Sequence, residues 1–103
     1  MYGGVASERV LSHVLKVVVP NVFFTVHALE RALERGASRA EIADVLATGF
    51  SIPAHSGRRG KAKVYGFQEL RNGVEYPQKR VEVYYVDAGD ALFAVTVYVF
   101  YGK

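Results

Sequence analysis

Residues 91–101 read Ala-Leu-Phe-Ala-Val-Thr-Val-Tyr-Val-Phe-Tyr, a run dense in β-branched and aromatic side chains with neither glycine nor proline inside it. Such residues fit a pleated, half-buried surface, so the run is the best strand in the chain. Immediately before it, Asp87-Ala88-Gly89-Asp90 supplies a tight turn, and Arg80 to Val86 alternates as an earlier strand. Asn72-Gly73 is a strong hairpin-turn dipeptide, and it separates that strand from a third at Lys61 to Phe67. Three strands joined in order by short turns predict an antiparallel meander.

Upstream of Lys61 the apolar period is helical instead. Ser38-Arg39-Ala40-Glu41 matches a capping box, in which serine and glutamate satisfy each other's backbone donors at a helix start. Ile42, Val45 and Leu46 then face inward, Thr48-Gly49 closes the helix, and Pro53 to Gly60 forms a loop rich in turn residues and positive charge. One helix earlier, Thr25 is placed to cap Val26 to Arg35, with Ala28, Leu29, Ala32 and Leu33 as its apolar stripe. Gly36 supplies the left-handed stop, and Asn21 to Thr25 is an extended lead-in. Further back, Val10, Leu11, Val14, Leu15 and Val18 fall at helical spacing within Ser7 to Val19, which predicts an additional N-terminal helix over residues 1–21. The expected class is α+β: two to three N-terminal helices packed on a three- to four-stranded antiparallel sheet.

A chain of 103 residues, half of them hydrophobic, is the usual size of one domain, so residues 1–103 are read as a single unit. Without cysteine there is no disulfide framework, no thiol nucleophile and no cysteine zinc site. The longest apolar runs fall well short of the roughly 20 residues a spanning helix needs, and no secretory pattern opens the chain. No membrane partner and a cytoplasmic location are therefore expected.

Formal charge is +3, and its distribution matters more than its size. His55 to Lys63 reads His-Ser-Gly-Arg-Arg-Gly-Lys-Ala-Lys with no acidic residue among Arg58, Arg59, Lys61 and Lys63. On the helix after Thr25, His27, Arg31 and Arg35 recur at four-residue spacing and form one drifting row. Glu30 and Glu34 form the neighbouring row, so a solvated, self-paired helix face explains the pattern as well as an anion site does. Spacing by itself leaves both open.

The run Thr-Val-His-Ala-Leu-Glu-Arg-Ala-Leu-Glu-Arg-Gly-Ala-Ser at 25–38, then Glu41-Ile42 and Val45-Leu46, resembles a known signature. That signature is T-x-H-A-x-x-R-x-x-x-R-G-x-S of the domain-of-unknown-function family 4258. Val95-Thr96-Val97-Tyr98 is similar to the V-T-V-Y that closes the family's last strand, so the resemblance spans roughly residues 23–98. The resemblance implies the helices-then-sheet layout of small RelE-like, barnase-like or colicin-like ribonuclease toxins. Residues before Val22 lie outside it and are assigned to packing or assembly, a homodimer included.

The function expected on this basis is a toxin-like ribonuclease that cleaves RNA phosphodiester bonds without a metal or other cofactor. Such chemistry needs a proton acceptor for the 2′-hydroxyl, a donor for the leaving oxygen, and cations where charge gathers on phosphorus. Histidine titrates near neutrality, which makes His27 the first choice for proton transfer, with Arg31 and Arg35 on the phosphate. Thr96 and Tyr98 on the last strand are expected to complete the catalytic group. His55, Arg58, Arg59, Lys61, Lys63 and Tyr65 are the expected RNA-binding set, with RNA and an acidic antitoxin protein as partners. The alternative is a non-catalytic RNA- or protein-binding module that uses the same basic surface.

Overall fold

The local signals at the helix ends act as their residue types dictate. The computed structural model describes residues 21–102. Helix α1 spans Val26–Arg35, and the Ala28 N–H donates to the Thr25 hydroxyl at 3.0 Å to cap it. Gly36, at φ +99°, ends the helix in the left-handed region. Helix α2 spans Arg39–Thr48, where the Glu41 N–H donates to Ser38 Oγ at 3.1 Å and the Ser38 N–H donates to Glu41 Oε1 at 3.0 Å. Both halves of the expected capping box are present.

The sheet departs from expectation. Among the described residues five strands, β1 (Asn21–Phe24), β2 (Phe50–Ile52), β3 (Arg59–Arg71), β4 (Val74–Asp87) and β5 (Ala91–Gly102), are ordered β1-β5-β4-β3-β2. β1 runs parallel to β5 and the other neighbours are antiparallel, so the sheet is mixed. The expected run of N-terminal helices on a purely antiparallel, three- to four-stranded sheet is therefore corrected: a strand precedes both helices. The helix expected over Ser7 to Val19 lies outside the described residues.

Asn21 to Phe24 is extended as expected, but that this segment and β2 join the sheet was not legible, for one physical cause. β1 has four residues and β2 three, too few to establish a period, and each is held by hydrogen bonds to a partner distant in sequence. Gly49 joins α2 directly to β2 because a Cβ there would stand 2.7 Å from the Ala62 carbonyl oxygen of β3. Arg59 and Gly60, read as loop, are drawn into β3 by pairing with Tyr85 and Tyr84.

Both helices cover one face of the sheet. Ala32 of α1 and Ile42, Val45 and Leu46 of α2 pack against Val81, Val83, Ala94 and Val97. Each large aliphatic side chain buried this way contributes about 1.5–3 kcal/mol. Small residues, Ala28 and Ala32, let α1 lie close along β5. This closeness matters because β1 stops at Phe24, opposite Ala94, and among the described residues no strand pairs with the later part of the β5 edge. α1 lies along that edge: Arg35 Nη1 donates to the Val97 carbonyl at 2.6 Å, and the Tyr101 hydroxyl donates to the Arg35 carbonyl at 2.7 Å.

A bulge decides which side chains of β5 meet the helices. Tyr84 pairs with Thr96 but Tyr85 with Ala94, so Val95 is the extra residue. Leu92 and Ala94 point into the core before it, and Val97 after it. The one-residue slip reverses the face parity and turns Thr96, Tyr98 and Phe100 to the opposite face. Among the described residues no helix covers that face.

Candidate functional site on the open sheet face

Alternation along β3, β4 and β5 lays out three rows across the open face. Cross-strand pairing aligns Thr96 with Tyr84 and Gly60, Tyr98 with Glu82 and Ala62, and Phe100 with Arg80 and Val64. The loop before β3 rises beside the first row. Its His55, Ser56 and Arg58 line a cleft of about 290 Å³ together with Tyr84, Thr96 and Tyr98. Four expected site residues, His55, Arg58, Thr96 and Tyr98, thus meet in one place.

The helix row approaches the same region across the edge of β5. Arg35 is half-buried, and its guanidinium carbon stands 5.0 Å from the Tyr98 ring centroid. The distance suits a cation–π contact. Arg31 and His27 lie one and two turns earlier on the same flank, and both are exposed. At 100° per residue the row drifts by about 40° at each step, so Arg35 reaches the sheet edge while Arg31 and His27 stay exposed.

Inside the face, polar groups are paired. The Tyr84 hydroxyl donates to Glu82 Oε1 at 3.1 Å, and Arg80 Nε donates to Glu82 Oε2 at 2.8 Å. Burial, reinforced by the hydrogen bond to the Glu82 carboxylate, raises the Tyr84 hydroxyl above the ordinary tyrosine range, so it stays protonated. Tyr98 meets Tyr84 edge-on at 5.9 Å between ring centroids and lies 6.3 Å from Phe100.

The rest of the expected RNA-binding set is elsewhere. Lys61, Lys63 and Tyr65 pair opposite Val83, Val81 and Lys79, so they face the helices, not Thr96 and Tyr98. Lys61 Nζ donates to the Leu46 carbonyl at 3.0 Å. Lys63 Nζ donates to Asp44 Oδ2 at 2.7 Å, and the Tyr65 hydroxyl to the same oxygen at 2.6 Å. The Lys63 ammonium first, and the Tyr65 hydroxyl next, hold the Asp44 carboxyl below its ordinary range. Burial first, then Asp44, holds the Tyr65 hydroxyl above its own. These three side chains fasten α2 to β3. Arg59 sits 3.9 Å from Asp87 at a second cleft, also lined by Leu46, Ile52 and Leu92, which shares Arg58 with the first. Strand alternation thus turns Lys61 and Lys63 toward the helices with Arg59, while the loop residue His55 lines the open-face cleft and Arg58 stands between the two clefts and lines both.

Arg80, Glu82 and Phe50 belong to the open face but were absent from the sequence-derived set. The alternation of Arg80, Glu82 and Tyr84 on β4 carried the signal, but which face was open did not follow from it. Among the described residues no group of three or more His, Asp or Glu side chains gathers closely enough to hold a metal. Among them, too, no helix is long and apolar enough to cross a membrane.

Comparison with known proteins agrees with the row on α1 and the strand that follows the bulge. The model of the family Domain of unknown function (DUF4258) matches residues 24–99. The chain belongs to this family. The DUF4258 match takes in α1, α2 and the sheet through Val99, and so includes His27, Arg31, Arg35, Thr96 and Tyr98. No curated protein and no solved structure matches the chain, so the likeness to RelE-like and barnase-like toxins rests on the resemblance alone.

Proposed function

We propose that this DUF4258 chain binds RNA at the open-face cleft and cleaves its phosphodiester bonds without a metal. The observation that carries the reading is the convergence of three elements. The α1 row reaches Tyr98 through Arg35, β5 contributes Thr96 and Tyr98, and the loop contributes His55 and Arg58. A titratable imidazole, guanidinium groups and hydroxyls beside one cleft are the groups that transesterification requires.

In this reading an imidazole, His27 or His55, takes the 2′-hydroxyl proton as that oxygen attacks phosphorus. The bond to the 5′ oxygen breaks, and a second group, the other imidazole or the Tyr98 hydroxyl, protonates the departing alkoxide. The products are a 2′,3′-cyclic phosphate and a free 5′-hydroxyl. Arg31 and Arg58 neutralise the phosphate, and Arg35 holds Tyr98 in place.

The second reading, a non-catalytic RNA- or protein-binding module, draws support from Arg35. One arm of its guanidinium is engaged by the Val97 carbonyl, which suits a structural cation as well as a catalytic one. A cytoplasmic setting and an acidic antitoxin partner accompany either version as proposals.

Purified protein incubated with RNA and a chelator separates the two. Cleavage to cyclic-phosphate ends that falls about 10²–10⁴-fold in His27→Ala or Tyr98→Phe supports catalysis. Salt-sensitive binding without turnover supports an RNA-binding module, and neither binding nor turnover refutes both RNA readings and leaves only a protein-binding module.

A further inference from the structure

The open face carries more than the cleft needs. Phe50, Tyr98 and Phe100 are 48%, 41% and 51% exposed on it, whereas Tyr85 on the helix face is 5% exposed. Half-exposed rings on one face, Tyr98 and Phe100 adjacent and Phe50 joined to them through Arg80, mark a surface that contacts something other than water.

Charge selects the class of occupant. Arg80 stands 5.3 Å from the Phe50 ring centroid as Arg35 does 5.0 Å from that of Tyr98, and Arg58 rims the cleft. The carboxylate at the centre, Glu82, is only 15% exposed and is consumed by Arg80 and Tyr84. The face is thus a set of rings bordered by cations. A second copy docked symmetrically would set two faces bordered by Arg35, Arg58 and Arg80 against each other with the central Glu82 already paired, which offers those charges no partner. A nucleic-acid duplex hides its base faces in the stack and would leave the rings unused. An unpaired strand offers both bases and phosphates.

Resting on the reading of the cleft as an RNA site, we infer that its substrate is single-stranded, with consecutive bases stacked on Tyr98 and Phe100 and the strand bordered by Arg80 and Phe50. Tyr98 and Phe100 are successive same-face positions of β5, with ring centroids 6.3 Å apart. Stacking tolerates any base, so recognition is by strandedness more than by sequence. The strand runs from the cleft at Thr96 toward Phe100, and places its reacting phosphate at the end where His55 and Arg58 stand.

The test is fluorescence anisotropy of a labelled single-stranded oligonucleotide and its duplex, measured with the otherwise intact chain carrying His27→Ala to prevent turnover. Phe100→Ala and Phe50→Ala are added singly, with Leu70→Ala, at a 70% exposed position, as the surface control. The expected result is single strand bound at least tenfold more tightly than duplex, weakened about tenfold by Phe100→Ala and less by Phe50→Ala, with the control unchanged. Equal affinity for duplex, or indifference to Phe100→Ala and Phe50→Ala, overturns the inference. So does a dimer in solution that Phe100→Asp dissociates. Ring-dependent binding by a wild type that never cleaves would remove the catalytic reading and leave this one standing. Cleavage insensitive to both phenylalanines would do the reverse.

Discussion

Replacing Lys79 by methionine tests how the two helices are held on the sheet. Lys79 is 7% exposed, and its ammonium donates to the Gly36 carbonyl at 2.7 Å and lies 2.9 Å and 3.0 Å from the two Glu41 oxygens. Breaking a fully buried ion pair costs about 3–5 kcal/mol. The Glu41 side chain is 26% exposed and keeps its bond from the Ser38 N–H, so its share is reduced. Gly36 loses a charge-assisted hydrogen bond, worth about 1.5–3 kcal/mol. Methionine keeps most of the buried aliphatic length of Lys79, which offsets part of the loss, although the ammonium's place 5.5 Å from the Phe67 ring centroid is given up. The expected net loss is about 2–3 kcal/mol, or a Tm fall of roughly 10–20 °C for a domain of this size. Urea unfolding measures it, and the Lys79→Met, Glu41→Gln double variant is expected to recover at least about 1 kcal/mol through the pairwise coupling. A Lys79→Met protein within about 0.5 kcal/mol of wild type would refute the view that this pair anchors the turn between α1 and α2.

Two further outcomes concern the same framework. Gly36→Ala forces a side chain to φ +99° and drives its Cβ into the Tyr101 hydroxyl, which donates to the Arg35 carbonyl; a loss of about 2–3 kcal/mol in urea unfolding is expected from the left-handed strain plus one hydrogen bond. Asp44→Asn is expected to flatten both limbs of a stability–pH profile. Asp44 is depressed in the folded state, so its contribution is present above about pH 4 and is lost as acid protonates it. Tyr65 is raised, so its contribution is present below about pH 10 and is lost at higher pH; removing Asp44 shrinks that limb without abolishing it, because burial is the larger cause. Thermal melts from pH 2.5 to 11 would show both changes, and an unaltered profile would refute the role given to Asp44.

What the amino-acid sequence determined by itself was everything governed by neighbours a few residues apart. Thr25, Gly36, and Ser38 with Glu41 set the ends of α1 and α2 because caps satisfy donors within one turn. Asn72-Gly73 set the β3–β4 turn because Gly73 and Asn72 accept positive φ, here 81° and 52°. The row His27, Arg31, Arg35 and its family signature were legible for the same reason.

Tertiary structure decided the rest. β1 has no intrinsic strand period, and it exists through parallel pairing to β5 at the far end of the chain. Alternation sorted Lys61, Lys63 and Tyr65 from their neighbours, but only the position of α2 determined that theirs was the covered side. The bulge at Val95 sends Thr96, Tyr98 and Phe100 to the open face, and it arises from register between strands, which no local pattern encodes. The site is a property of that register, because one residue more or less in a ladder exchanges the two faces of a sheet.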